Sequence, residues 1–104
     1  MRLLDLLIKE YISLVSKLEE NEPVENNRII IEREQFKTLL EKYKYMTFKE
    51  KTATYKDMNF IIHDKNNYTM PVKEENSKKT MRKVVINYKT YLKVKTLYET
   101  EVHN

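Results

Sequence analysis

The apolar residues of this chain change their period as the sequence runs, from helical to extended and back, and that succession leaves few folds open. In residues 2–20, Leu3, Leu7, Leu14 and Leu18 share one stripe, with Leu4, Tyr11 and Val15 beside it, which predicts a long amphipathic helix. Ile8 and Ile12 widen this arc beyond what one contact surface needs, so a second subunit is expected against it. Residues 21–27 hold Pro23 among polar side chains and read as a loop. Arg28-Ile29-Ile30-Ile31 then reads as a short β-branched strand. From about Arg33 to Tyr43, the apolar residues Phe36, Leu39, Leu40 and Tyr43 return to helical spacing.

After a tight connection at Lys44-Tyr45-Met46, Thr47-Phe48-Lys49-Glu50 has the form of a capping box. In that motif the threonine hydroxyl accepts the third backbone N–H, and the glutamate reaches back to the threonine N–H. A third helix is expected from Phe48 to about Met58, with Phe48, Thr52 and Tyr55 inward, Lys49, Ala53, Lys56 and Asp57 outward, and Thr54 at the edge. Asn59-Phe60-Ile61-Ile62 is a second strand and residues 63–67 a polar turn. Tyr68 to Lys73 is extended, with Pro71 confining it to an edge. A turn at Glu74-Glu75-Asn76-Ser77 leads to a strand over residues 80–86, ending in Val84-Val85-Ile86. A last helix over about 88–98 carries Tyr91, Val94 and Tyr98 on one stripe.

Composition excludes several functions. Not one of the 104 residues is glycine, and phosphate-cradling loops need glycine for close backbone approach. There is no cysteine, and His63 and His103 lie too far apart in sequence to suggest metal ligands. No nucleophile has a base at a recognisable spacing, so neither catalysis nor a cofactor or metal is expected. The N-terminal apolar run is broken by Asp5 and Lys9, which argues against a signal peptide or membrane span and for a soluble cytoplasmic protein.

Charge is unevenly spread. Residues 1–43 carry seven basic and nine acidic groups, a net −2. Residues 44–95 carry thirteen basic and five acidic groups, a net +8, and residues 96–104 a net −2. A basic middle between acidic ends points to one positively charged face and to nucleic acid as a partner.

The order of elements is helix, strand, helix, turn, capped helix, strand, hairpin, strand, helix. This is the α+β order of a winged helix-turn-helix, with extra N- and C-terminal helices around a small antiparallel sheet, in a single domain over 1–104. The segment from Tyr55 through Phe60 to Asp64, the following Tyr68-Thr69, and Arg82-Lys83-Val84-Val85-Ile86 resemble the recognition-helix-to-wing region of winged helices from phages and plasmids. Size, lysine content and element order also resemble the TcpK family of relaxosome accessory proteins of conjugative plasmids. That likeness implies a small dimeric protein at an origin of transfer, with a relaxase or other mobile-element protein nearby.

The expected duplex DNA contacts follow from residue type. Lys49, Lys51 and Lys56 on the third helix suit phosphates or guanine edges, and Thr52 and Thr54 are short donor–acceptors. Lys65, Asn66, Asn67, Lys78, Lys79 and Arg82 gather on the hairpin, where such residues can enter a minor groove. Tyr68, after the polar turn, is the tyrosine placed to meet sugar or phosphate. A sequence-specific, homodimeric DNA-binding protein of a mobile element is therefore expected. The alternative is a protein-binding inhibitor, such as a phage anti-defence protein, on the same fold.

Overall fold

The computed structural model describes residues 2–74 and 78–103, with side chains to residue 100. It is an α+β structure of four helices and a small antiparallel sheet. Helix α1 (Leu3–Asn21) leads to strand β1 (Arg28–Ile31), then to helices α2 (Arg33–Glu41) and α3 (Phe48–Asp57). Strands β2 (Ile61–Ile62), β3 (Met70–Lys73) and β4 (Thr80–Asn87) follow, and helix α4 (Tyr88–His103) closes the chain.

Strand β4 organises the sheet. Its C-terminal half lies between β1 and β2, pairing Ile31 with Val84, Ile29 with Ile86 and Ile61 with Ile86. Its N-terminal half pairs with β3, from Met70–Lys83 to Lys73–Thr80. Alternation along β1 and β4 sends Ile29, Ile31, Val84 and Ile86 into the core, where they are buried. They meet the inward stripe of α1, namely Leu7, Tyr11, Leu14, Val15 and Leu18, together with Phe36, Leu40, Tyr55, Phe60 and Tyr91.

Tyr11 is the post at the centre. Its ring stacks on Phe60 with centroids 3.8 Å apart, and Tyr55 and Tyr91 meet it edge-on at 5.6 and 6.2 Å. Its buried hydroxyl donates to the Asn87 carbonyl at 3.0 Å, which joins α1 to the strand–helix junction. Glu19, one end of α1, accepts hydrogen bonds from the Tyr88 and Tyr91 hydroxyls, so α1 and α4 are tied at that end.

The arc of α1 that Ile8 and Ile12 widen is largely covered from within the chain. Both are half-buried against the core, and Ile8 lines a groove of about 480 Å³ with Val94, Leu97 and Tyr98 of α4. Helix α2 ends at Glu41, short of the expected Tyr43, whose side chain is exposed instead of lying on the buried stripe.

With no glycine available, asparagine takes the left-handed positions. Asn26 and Asn27 both have positive φ and close a two-residue turn in which Glu25 and Arg28 exchange backbone hydrogen bonds, the pattern of a type I′ hairpin turn. Asn59 has φ of 58° directly after α3. There the Phe60 N–H bonds the Tyr55 carbonyl and the Asn59 N–H bonds the Lys56 carbonyl, while the Phe60 and Tyr55 rings touch. These bonds and the apolar contact make a Schellman ending that turns the chain sharply from α3 into β2.

The tyrosines predict a response to alkali. Burial pushes the Tyr11, Tyr45 and Tyr55 hydroxyls well above their usual range, and the hydrogen bond to Glu19 holds Tyr88 at about 12. In the unfolded chain these groups ionise near 10, the ordinary value for a tyrosine. Above that pH the folded form binds more protons than the unfolded one, so its stability falls as pH rises. Far-UV circular dichroism and phenolate absorbance should therefore change together in one cooperative step above pH 10. Independent titration of all tyrosines with no loss of helix would contradict this.

Candidate nucleic-acid interface

Helix α3 starts on the expected capping box. The Thr47 hydroxyl accepts from the Glu50 N–H at 3.1 Å and the Glu50 carboxylate accepts from the Thr47 N–H at 3.3 Å. With its start and its Schellman end both fixed, α3 presents one outward stripe of Lys49, Ala53, Lys56 and Asp57, with Lys56 half-buried and the others exposed.

Of the three other expected contacts on α3, Lys51 and Thr52 are turned away, and Thr54 is half-buried at the edge. Lys51, expected to meet phosphates or guanine edges, is instead fully buried. Its ammonium lies 2.9 and 3.0 Å from the two Glu10 carboxylate oxygens and donates to the Leu40 and Tyr43 carbonyls at 2.6 Å each. The Tyr45 ring covers it at 4.4 Å, and the Tyr45 hydroxyl donates to the same Glu10 carboxylate. Its three N–H bonds thus serve the interior. Thr52 is also buried, with its hydroxyl on the Lys49 carbonyl, and the Thr54 hydroxyl is held by the Glu50 carbonyl.

The signal for Lys51 was present in the sequence. Positions 48, 51, 52 and 55 form a helical core stripe, and so do 7, 10, 11 and 14 around Glu10. Opposite charges at two inward positions are the mark of a buried pair.

On the hairpin, register sorts the residues. Pro71, Lys73, Thr80 and Arg82 share one face, which continues the side of β4 that holds Val84 and Ile86 and on which the helices pack. All four are exposed. Lys73 was not singled out by sequence reasoning, although strand alternation opposite Thr80 would have found it. Met70, Val72, Met81 and Lys83 lie on the other face. Lys83 there bonds Glu32 at 2.9 Å, with Glu74 at 4.0 Å. The Glu32 hydrogen bond raises the lysine's affinity for its proton. Glu74 is thus turned toward Lys83, while Glu75 lies outside the described residues.

Lys65, Asn66 and Asn67 are exposed in the loop before β3, and Lys78 and Lys79 are exposed just before β4. Arg82 is engaged by Asp64, the Thr69 hydroxyl and the Thr69 carbonyl, so it fastens that loop to β4. Tyr68 is half-buried rather than presented outward. Its ring lies over Phe36 at 5.9 Å and against Phe48 at 5.4 Å, which anchors the base of the hairpin to α2 and α3.

The net charge of +8 over residues 44–95 is offset in space, because Lys51 and Lys83 pair with Glu10 and Glu32 from the acidic first part of the chain. The Arg82–Asp64 pair lies within that stretch and is already in its count. His63 rests its Nδ1 against the Asp64 carbonyl at 2.6 Å. Among the described residues no group of three or more His, Cys, Asp or Glu is placed to hold a metal ion, and no helix is long and apolar enough to cross a membrane. No protein-family model matches the chain, and no curated protein matches it.

Proposed function

We propose that this chain is a winged helix-turn-helix domain that binds double-stranded DNA sequence-specifically, in the service of a mobile element. The sheet order β1-β4-β2, with α2 and α3 between β1 and β2 and a hairpin running out along β4, carries this reading. In this reading α3 stands outward beside the hairpin, and the exposed or half-buried Lys49 and Lys56 on the helix and the exposed Lys73, Thr80 and Lys78 on or next to the hairpin support it. The helix is the reader and the hairpin the electrostatic clamp.

Selection from a random duplex pool tests this division. Lys56→Ala should cost about 1–3 kcal/mol and relax preference at one base position, if Lys56 contacts a base edge. Lys73→Ala and Lys78→Ala should weaken all duplexes alike and lower the salt slope by about one each. Hairpin variants that change the selected sequence, beside a Lys56 variant that does not, would reverse the roles.

A second copy of the chain is the partner expected at the groove between α1 and α4. Leu97 beside it is 65% exposed, and Leu3 and Leu4 at the start of α1 are exposed as well. A closed two-fold pair shelters such residues and suits a two-fold DNA site. Sedimentation should show a dimer at micromolar concentration and a monomer for Leu97→Glu. A monomeric parent chain would exclude it.

The protein-binding alternative has one observation in its favour. The outer face of the sheet carries the exposed Ile30 and Met81 in line with Val85 and Ile62. Failure to retain any duplex at low salt would favour that reading.

A further inference from the structure

The buried Lys51 ammonium is where α1, α2, the α2–α3 turn and α3 meet. Glu10 comes from α1, the Leu40 carbonyl from the last turn of α2, the Tyr43 carbonyl and the Tyr45 ring and hydroxyl from the connecting turn, and Lys51 itself from the first half of α3. One of these partners, the Leu40 carbonyl, lies in the last turn at the negative end of α2, so the ammonium also helps to cap that helix.

The apolar hold on α3 comes from two rings, the buried Tyr55 against Tyr11, Phe36 and Phe60 and the half-buried Phe48 against Phe36 and Tyr68, while its other buried residues are Lys51 and Thr52. Apolar packing tolerates small rotations of a helix. A charge bonded on all sides does not, because each of its donors has one direction in which it is satisfied.

We propose that Lys51 and Glu10, closed over by Tyr45, are positioning residues that set the angle at which α3 leaves the body of the protein. They thereby decide where the outward Lys49 and Lys56 fall. Buried ion pairs add little net stability over well-packed apolar groups, but they can select one arrangement among several. Here the arrangement selected is the pose of α3 against α1. The proposed consequence for DNA rests on the reading above; the consequence for helix orientation does not.

The test uses the full chain with Glu10→Gln and Lys51→Met together, so that no charge is left buried alone, and separately Tyr45→Phe, which removes only the hydroxyl that closes the cluster. Melting curves first establish that each variant is folded at the assay temperature. Backbone amide residual dipolar couplings then report the direction of α3 relative to α1. In the parent, both helices should fit one alignment frame with the angle seen here. In the double variant α3 should depart from it, and in Tyr45→Phe it should depart less.

On DNA, the folded double variant should lose about tenfold or more in discrimination between a selected duplex and a scrambled one for each base contact displaced. Its affinity for the scrambled duplex should hardly change. A merely structural role would lower the melting temperature and leave both the couplings and the discrimination as they are. If the double variant does not fold, Tyr45→Phe decides alone. Unchanged α3 couplings in every folded variant overturn the proposal. Altered couplings in a chain that selects no duplex would uphold the positioning role and reject the DNA-binding function instead.

Discussion

Lys51→Met alone is expected to be among the most damaging single substitutions in the chain, costing about 3–5 kcal/mol, because it leaves one partner of a buried pair uncompensated. The Glu10 carboxylate would remain buried with only the Tyr45 hydroxyl, and the Leu40 and Tyr43 carbonyls would lose their donor. For a domain of this size such a loss lowers the melting temperature by more than about 10 °C, since each kcal/mol moves it by several degrees. Lys49→Met, two residues earlier and exposed, supplies the control and should stay within about 0.5 kcal/mol of the parent. Urea denaturation of both variants measures the difference. Equal midpoints would mean that Lys51 does not live in the interior.

The second large effect is on DNA and salt. Lys49, Lys56, Lys73 and Lys78 lie along the proposed contact surface, so a two-fold pair would bring about eight such groups to phosphate. Each phosphate neutralised releases condensed counterions. Eight contacts then imply a loss of roughly four orders of magnitude in affinity between 50 and 200 mM salt. The slope of log affinity against log salt, measured by fluorescence anisotropy on one duplex, counts the contacts. A slope near one would confine the interaction to a single lysine and leave the sheet face or the groove as the working surface.

How far the sequence could be read depends on where each residue finds its partners. The capping box at Thr47 and Glu50 is complete within four residues, so it is legible and stands as read. The strands Arg28–Ile31 and Thr80–Asn87 announce themselves through β-branched runs, buried at alternate positions in the first and at Val84, Val85 and Ile86 in succession in the second. Lys51 and Glu10 are legible only in part, since each falls on an inward helical stripe but nothing local shows that the two meet across 41 positions. Tyr68 follows a polar turn and looks outward, but its ring partner Phe36 belongs to α2, far back in the chain. The left-handed asparagines are legible only in hindsight. Among the many asparagines of this chain, nothing local separates Asn59, which ends α3 with positive φ, from Asn66 or Asn67 in the neighbouring loop.

Strand β4 has a consequence for how the protein is made. Its partners in β1 are synthesised more than fifty residues earlier, Ile31 facing Val84 and Arg28 facing Asn87. At about 5–20 residues per second, a ribosome leaves Ile29 and Ile31 without their strand for several seconds. During that interval α1, α2 and α3 can form but have no sheet to close against, and the unpaired β1 is open to other chains. A chain cut short anywhere before Val84 would lack the central strand of its sheet and be fit for proteolysis or aggregation rather than for a smaller working domain. The hairpin and the heart of the protein therefore reach their native form together, late, on a single strand.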